Sequence, residues 1–323
     1  MTKLFAFGDS ITTGAGATPR TKGFAYLLAT KLGLTLNMLG ASTAQAIDRC
    51  PSLMANQPPA GTPSVVFFST NEQHYCYTDP ATDPDAAAKN ANQRRYFKDC
   101  MRAFGVRLAA TPKAILPANG AVFSGPKITS GLVYGAYGLS ATGSKVTLQC
   151  FGDKIALGFL RQRNNTSTFK VKIDGAVVGE YESGGDVRTE LNSSAATQHA
   201  LMSFVYSGLG IGSHLVEIEA TYAAGAGKLV FPIFSVELDQ ADKMVAFVNQ
   251  PLGKCYTNGG NDENTEAYNS EIASLVTELQ GYGVDARLVD VKSQFNASLM
   301  WDCHHPNTEG HALMADLAYA EMT

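Results

Sequence analysis

A serine hydroxyl is a weak nucleophile at neutral pH and becomes a useful one only when a neighbouring base takes its proton. The stretch Phe7-Gly8-Asp9-Ser10-Ile11-Thr12 offers such a serine directly after the apolar run Lys3-Leu4-Phe5-Ala6-Phe7. Near the other end of the 323-residue chain lies Trp301-Asp302-Cys303-His304-His305-Pro306-Asn307. An imidazole serves as the base if a carboxylate fixes its tautomer and stabilises its charged form. Asp302 and His305 are separated by two residues, so one loop can carry both base and orienter. Taken alone, the first stretch reads equally well as an ordinary Gly-Asp-Ser turn. The second stretch favours acyl-transfer chemistry, with Ser10 as nucleophile, His305 as proton carrier and Asp302 as its orienter.

The elements around these residues must bring the two ends together. A continuous apolar run is the mark of a strand buried on both faces, and a serine at the carboxyl end of the first strand of an α/β sheet sits where such sheets bind ligands. Gly8 leaves room for a sharp exit, and Asp9 can tie the turn through its own side chain. Helical spacing over Gly23–Leu32 precedes a second strand over Leu34–Leu39, and Ser64–Phe68 reads as a third. Residues Asp85–Ala109 show an i, i+4 stripe of Tyr96, Cys100, Phe104 and Leu108, with Arg94, Arg95 and Lys98 on a solvated face. Strands over Met244–Asn249 and Val284–Val289 alternate with helices over Glu266–Gln280 and Thr308–Met322. Five strands alternating with helices predict a doubly wound parallel sheet.

Between Lys113 and Leu238 helical periodicity disappears and glycine becomes frequent. Val146–Cys150, Ile155–Phe159, Phe169–Ile173, Ala176–Tyr181, His214–Tyr222 and Leu229–Leu238 read as strands, and Asp174-Gly175 as a type I′ hairpin turn. The pattern predicts an inserted β-sandwich. Domain boundaries follow at 1–112, 113–238 and 239–323. The chain leaves for the insert after a helix and rejoins before a strand, which roots the insert on the side away from Ser10.

Gly8-Asp9-Ser10-Ile11 together with Asp302-x-x-His305-Pro306-Asn307 resembles the SGNH (GDSL-type) hydrolases. Ser69-Thr70-Asn71-Glu72, after Val65–Phe68, matches a third block of that family, Gly-x-Asn-Asp, with Ser69 and Glu72 as departures. The resemblance covers residues 1–112 and 239–323 and implies a flavodoxin-like α/β fold and a serine esterase. It implies an oxyanion hole formed by the Ser10 N–H, the Asn71 amide and a donor in Gly40-Ala41-Ser42-Thr43-Ala44. The best register puts Thr43 at the family's glycine, with Gly40 as the alternative. The insert is similar to the jelly-roll-type modules that accompany carbohydrate esterases, so the resemblance implies an O-acetylesterase acting on a glycan or another small ester. A lipase or thioesterase, and a non-catalytic glycan-binding module, are the alternatives.

Composition agrees with an enzyme. The chain is 45% apolar and 17% charged, and its net charge of −4 gives no broad attraction for nucleic acid. No apolar run reaches the ~18 residues of a membrane span. Met1-Thr2-Lys3 is not a signal peptide, which fits a cytoplasmic protein or a domain of a larger secreted or virion-associated one. The six cysteines lack CxxC pairs, so zinc is not expected; their spacing leaves disulfides open, with free, mostly buried thiols as the default, and no cofactor is expected. A cluster of Asp302, His304 and His305 has metal-like spacing, but would leave Ser10 and Asn71 without a role. His311 is expected to pack on or face out from the closing helix. Asn164, Asn165, Asn192 and Asn296 head glycosylation sequons, relevant only in a secretory pathway. The sequence carries no sign of oligomeric state.

Overall fold

In a computed structural model, residues 3–46, 49–75, 77–129, 136–163, 165–185, 199–222, 229–253, 255 and 261–323 are described. Five strands form a parallel sheet: β1 (Lys3–Gly8), β2 (Thr35–Gly40), β3 (Ser64–Phe67), β4 (Val245–Val248) and β5 (Ala286–Val289). Their spatial order is β5-β4-β3-β1-β2, the flavodoxin-like arrangement. The helices are α1 (Phe24–Lys31), α2 (Cys50–Ala55), α3 (Thr70–Tyr75), α4 (Ala86–Ala109), α5 (Asp262–Gly281) and α6 (Thr308–Met322).

Side chains alternate across a strand, and β1 shows what that does here. Leu4 and Ala6 enter a core with Phe24, Leu28 and Met314, from α1 and α6. Phe5 and Phe7 enter the opposite core with Phe104, Ile272 and Leu275, from α4 and α5. Both faces are covered, so the strand reads as one apolar run. Helix α5 starts four residues earlier than its apolar spacing predicts, because Asn261 caps it by accepting the Asn264 N–H at 2.7 Å. Helices α2 and α3 have six residues each, too few for a periodicity to be visible in the sequence.

The chain between α4 and β4 builds a two-stranded ribbon of Lys127–Thr129 with Tyr137–Leu139 and two larger sheets, antiparallel except where 184–185 runs parallel to 162–163. One runs 176–182, 168–173, 213–222, 145–151, 122–124, and the other runs 184–185, 155–163, 231–237, 113–114, with 199–206 also paired to 155–163. Asp174 and Gly175 both have positive φ, 51° and 84°, as a type I′ turn requires. The strands of the first sheet alternate between buried and accessible positions, as in Thr168–Ile173. Phe231–Glu237 of the second is buried at every position. The second sheet is a middle layer: Leu157 and Phe159 face the first sheet, while Leu160, Leu201 and Phe234 share a core with Met101 and Phe104 of α4. The strand His199–Tyr206, hidden in the sequence by its lack of alternation, lies against α4.

The insert is rooted at the amino edge of the parallel sheet, where the Asp242 and Lys243 N–H groups donate to Ala109 O. Its body then runs along α4 as far as α2, where Leu201 N–H donates to Cys50 Sγ at 3.4 Å. An ionic network fastens the layers. Asp99 accepts from Arg161 of the insert and from Arg102, both at 2.8 Å, and Arg102 reaches Glu278 of α5 at 2.6 Å. The Arg161 guanidinium also lies 4.4 Å from the centroid of the Tyr96 ring. Removing one member of a buried pair strands its partner, at a cost of about 3–5 kcal/mol. Because Asp99 keeps Arg102, Arg161→Met should cost about 3 kcal/mol, the low end of that range. Urea unfolding that shows no loss would mean the contact between insert and α4 is carried by apolar packing alone.

Candidate active site

Parallel register brings three loops to one edge. Gly8 pairs with Gly40 of β2 and with Phe67 of β3, so the three strands end level. Gly8 must be glycine: a Cβ there would stand 1.9 Å from Thr12 Oγ1 and 2.4 Å from Phe67 O. Beyond it, Asp9 Oδ1 accepts the Ile11 N–H at 2.9 Å, and the Ala15 N–H donates to Ser10 O at 2.9 Å. These bonds wind residues 9–15 into a tight turn with Ser10 on it.

Ser10 Oγ lies 2.9 Å from His305 Nε2, and His305 Nδ1 lies 2.7 Å from Asp302 Oδ2. Asp302 accepts at Nδ1, so Nε2 is left with its lone pair toward the Ser10 hydroxyl. Asp302 Oδ1 also accepts the N–H groups of His304 and His305, at 2.9 and 2.7 Å. Burial opposes the Asp302 charge, but these hydrogen bonds outweigh it and hold the carboxyl below its usual range. The loop is closed by Trp301 N–H to His305 O at 2.8 Å, and Asn307 Oδ1 caps α6 by accepting the Gly310 N–H. Three expected residues therefore stand in one hydrogen-bonded line.

Asn71 is buried on the first turn of α3, and its Nδ2 donates to Ala44 O at 2.7 Å. That bond uses one amide hydrogen and ties the third loop to the second. Gly40 lies within β2, whereas Thr43 stands beyond it with φ of 59°. Ser69, at the other position where the family block has glycine, has φ of 121°. Both departures from glycine thus occupy left-handed backbone, where a side chain is strained. Glu72 holds that geometry, accepting the Ala46 N–H at 2.5 Å and the Ser69 N–H at 3.0 Å. Its clasp between the two loops has no signature in sequence spacing.

Four further features emerge only in three dimensions. Cys255 and Cys303 form a disulfide, which corrects the expectation of free thiols for this pair; tertiary folding brings their Cα atoms to 4.6 Å despite a sequence separation of 48. It fastens the loop that carries Asp302 and His305 to the chain beyond β4. Cys50, Cys100 and Cys150 are free and buried, and Cys76 lies outside the described residues. His311 is fully buried: its Nδ1 accepts the Phe24 N–H, and its Nε2–H donates to Ala15 O at 2.8 Å. Trp301, the sole tryptophan, is 63% exposed with its ring centroid 6.3 Å from that of His305. Gly16, with φ of 92°, packs so closely that a Cβ would stand 2.0 Å from Pro306 O.

Ligand atoms of Asp302, His304 and His305 lie within 4.8 Å of one another, the one such cluster among the described residues. Two of its members are already joined in the line to Ser10. Asn165 is buried, its Nδ2 bonded to Gln162, Ser183 and Leu229, which leaves its sequon inaccessible. Asn296 is exposed, and Asn164 and Asn192 lie outside the described residues. No described helix is long and apolar enough to cross a membrane.

Residues 213–318 match the model of the GDSL-like lipase/acylhydrolase family, a stretch that contains Asp302 and His305 but not Ser10. No curated protein matches the chain. Among solved structures, the chain is similar to a member of the lipolytic G-D-S-L family from Veillonella parvula, at 10% identity and TM-score 0.44 over 99% of this chain and 97% of that one. It is also similar to an extracellular lipase from Streptomyces rimosus, at 13% identity and TM-score 0.42 over 99% and 100%. A two-domain esterase active on acetylated mannans matches 73% of this chain and 90% of its own, at 11% identity and TM-score 0.39. Over residues 213–318, about a third of its length, the chain is similar to the GDSL-type hydrolases.

Gly16→Ala should push the Pro306 carbonyl, and His305 with it, away from Ser10. A displacement near 1 Å costs about a hundredfold in turnover, so hydrolysis of an aryl acetate should fall by that order, and an unchanged kcat would show that the two loops are not mechanically linked. A second test uses pH. Burial raises the Asp9 carboxyl from 3.8 to about 7 and lowers the His311 imidazole from 6.5 to about 4. Over the shared window of pH 4 to 6.5, folded Asp9 holds a proton that the unfolded chain has lost, so its contribution to stability falls as pH rises. Folded His311 is neutral where the unfolded chain is protonated, so its contribution rises with pH. Each slope is at most about 1.4 kcal/mol per pH unit, and the two offset each other. Asp9→Asn should therefore give a Tm that climbs between pH 4 and 6.5, and His311→Gln a Tm that declines. Parallel profiles for the two variants would refute the opposed shifts.

Proposed function

We propose that the protein is a serine esterase that removes O-acetyl or other short acyl groups from carbohydrate, with Ser10, His305 and Asp302 as its catalytic triad. The carrying observation is the unbroken hydrogen-bonded line from Ser10 Oγ through His305 to Asp302, at 2.9 and 2.7 Å. Ser10 Oγ attacks the ester carbonyl carbon while its proton passes to His305 Nε2, and Asp302 stabilises the imidazolium. The negative charge that develops on the carbonyl oxygen meets the Ser10 N–H, a backbone donor at Thr43 and the second hydrogen of Asn71 Nδ2. The intermediate collapses as His305 returns the proton to the leaving sugar oxygen, so the alcohol departs and the acyl group stays on Ser10. Water then adds to the acyl-enzyme, giving its proton to His305, and the released acid restores Ser10.

The hydrolase unit in this proposal is 1–112 with 239–323, and the sandwich 113–238 is an accessory layer. A carbohydrate substrate is supported by that layer and by Trp301, whose exposed flat ring beside His305 offers a face for a pyranose. Ser10→Ala should lower turnover by about 10⁶, the loss found when a comparable serine hydrolase gives up its nucleophile. The assay is release of an aryl acetate's phenol and of acetate from a panel of acetylated polysaccharides. A variant that keeps a tenth of the wild-type rate would remove Ser10 from the mechanism, and acetate release from none of the polysaccharides would remove the glycan.

A further inference from the structure

Beyond α3 the chain turns outward, and a cleft of about 250 Å³ opens between that turn and the amino-terminal ends of α4 and α5. Its lining includes Tyr77, Asn90, Arg94, Asn261, Glu263 and Asn264. We propose that this cleft binds a neutral, hydroxyl-rich sugar unit of the polymer whose ester is cleaved at Ser10, an inference that rests on the carbohydrate reading above.

The sequence places Arg94 on a solvated helix face. In the fold it is half-buried on the cleft wall, and its guanidinium makes no hydrogen bond or ion pair among the described residues. Five N–H donors on a fixed planar fork are thus left without a partner among the described residues and can meet a ligand in the cleft. Glu263, exposed on the same lining, is also unpaired among the described residues and supplies acceptors. One cation and one anion cancel in net charge. An anionic ligand would meet Glu263 and a cationic one Arg94, whereas a polyol can accept from Arg94 and donate to Glu263. The Tyr77 hydroxyl adds a further polar contact and accepts weakly from Asn261 Nδ2 at 3.4 Å.

The wall is preformed. Asn90 spends its amide on both sides of Thr78, accepting from its N–H at 2.7 Å and donating to its carbonyl at 2.9 Å. Asn264 donates to Gln73 O at 3.0 Å, two residues along α3 from Asn71. At about 1.5 Å of rise per helical residue, that bond couples the cleft wall to the Asn71 loop over a short, rigid path. A polymer threaded past Ser10 would meet the cleft on the same edge of the sheet.

The test uses the full chain carrying Ser10→Ala, so that binding is read without turnover. Calorimetric titration with neutral hexaoses of glucose, mannose and xylose, and with a galacturonate hexamer, should show binding of at least one neutral hexaose and weaker or no binding of the uronate. Arg94→Met and Glu263→Gln should each weaken that binding about ten- to a hundredfold, the worth of a charge-assisted hydrogen bond. In the active protein the same two changes should raise KM on an acetylated polysaccharide and leave kcat on an aryl acetate unaltered. Binding of no neutral hexaose, equal affinity in both variants, or preference for the uronate would each overturn the proposal. These failures are separable from failure of the esterase reading, which shows instead as aryl acetate turnover that survives Ser10→Ala.

Discussion

A single hydrogen bond of 2.9 Å, between Ser10 Oγ and His305 Nε2, spans 295 positions of sequence, and much of the α/β architecture serves to hold its two ends. The amino-terminal end is set by the level finish of β1, β2 and β3 and by the turn that Asp9 ties. The carboxyl-terminal end is set by Asp302, which organises its own loop through two backbone hydrogen bonds and orients His305 through a third bond, to Nδ1. Between them, Gly16 lies flush against the Pro306 carbonyl, and His311 reaches from α6 to Ala15 and Phe24. A buried neutral histidine with both ring nitrogens satisfied is well suited to that task. It has a defined tautomer and no charge to solvate.

The antiparallel layers change what α4 is. In an isolated doubly wound domain its outer face would meet water. Here the Arg107 guanidinium lies over the Phe234 ring, 5.5 Å from its centroid, and the Asp99–Arg102–Arg161 network closes one side of the interface. The insert is therefore rooted away from Ser10 but packed along the helix that backs the sheet. Its contact with Cys50 brings it within four residues of Ala46, whose N–H is held by Glu72. The insert thus reaches the chain that joins the second loop to α2.

Strain concentrates at that edge. Thr43 and Ser69 hold left-handed backbone without being glycine, and each such residue costs about 1–3 kcal/mol unless its surroundings enforce it. The enforcement is visible: Glu72 grips the N–H of Ser69 and of Ala46, and Asn71 grips Ala44. A carboxylate one methylene longer than the family's aspartate spans these two loops.

Much of this was legible in sequence because it depends on local pattern. Continuous apolar runs marked the strands buried on both faces, the Tyr96 to Leu108 stripe marked α4, and Asp174-Gly175 marked its hairpin, since only residues tolerant of positive φ suit that turn. Residue chemistry and spacing likewise singled out Ser10, Asp302 and His305, and family resemblance added Asn71. The remainder depends on which surfaces meet, and no local pattern encodes that. His199–Tyr206 lost its alternation because two layers cover it. Arg94 carries the same charge on a solvated face or a cleft wall, and only the approach of α5 decides which. Cys255 and Cys303 sit in unrelated stretches until folding brings them together, and Glu72 becomes a clasp only once the second and third loops are side by side. The sequence by itself determined which residues could react and which segments could pair; tertiary structure decided which groups are close enough to act on one another, because distance between non-neighbours is a property of packing.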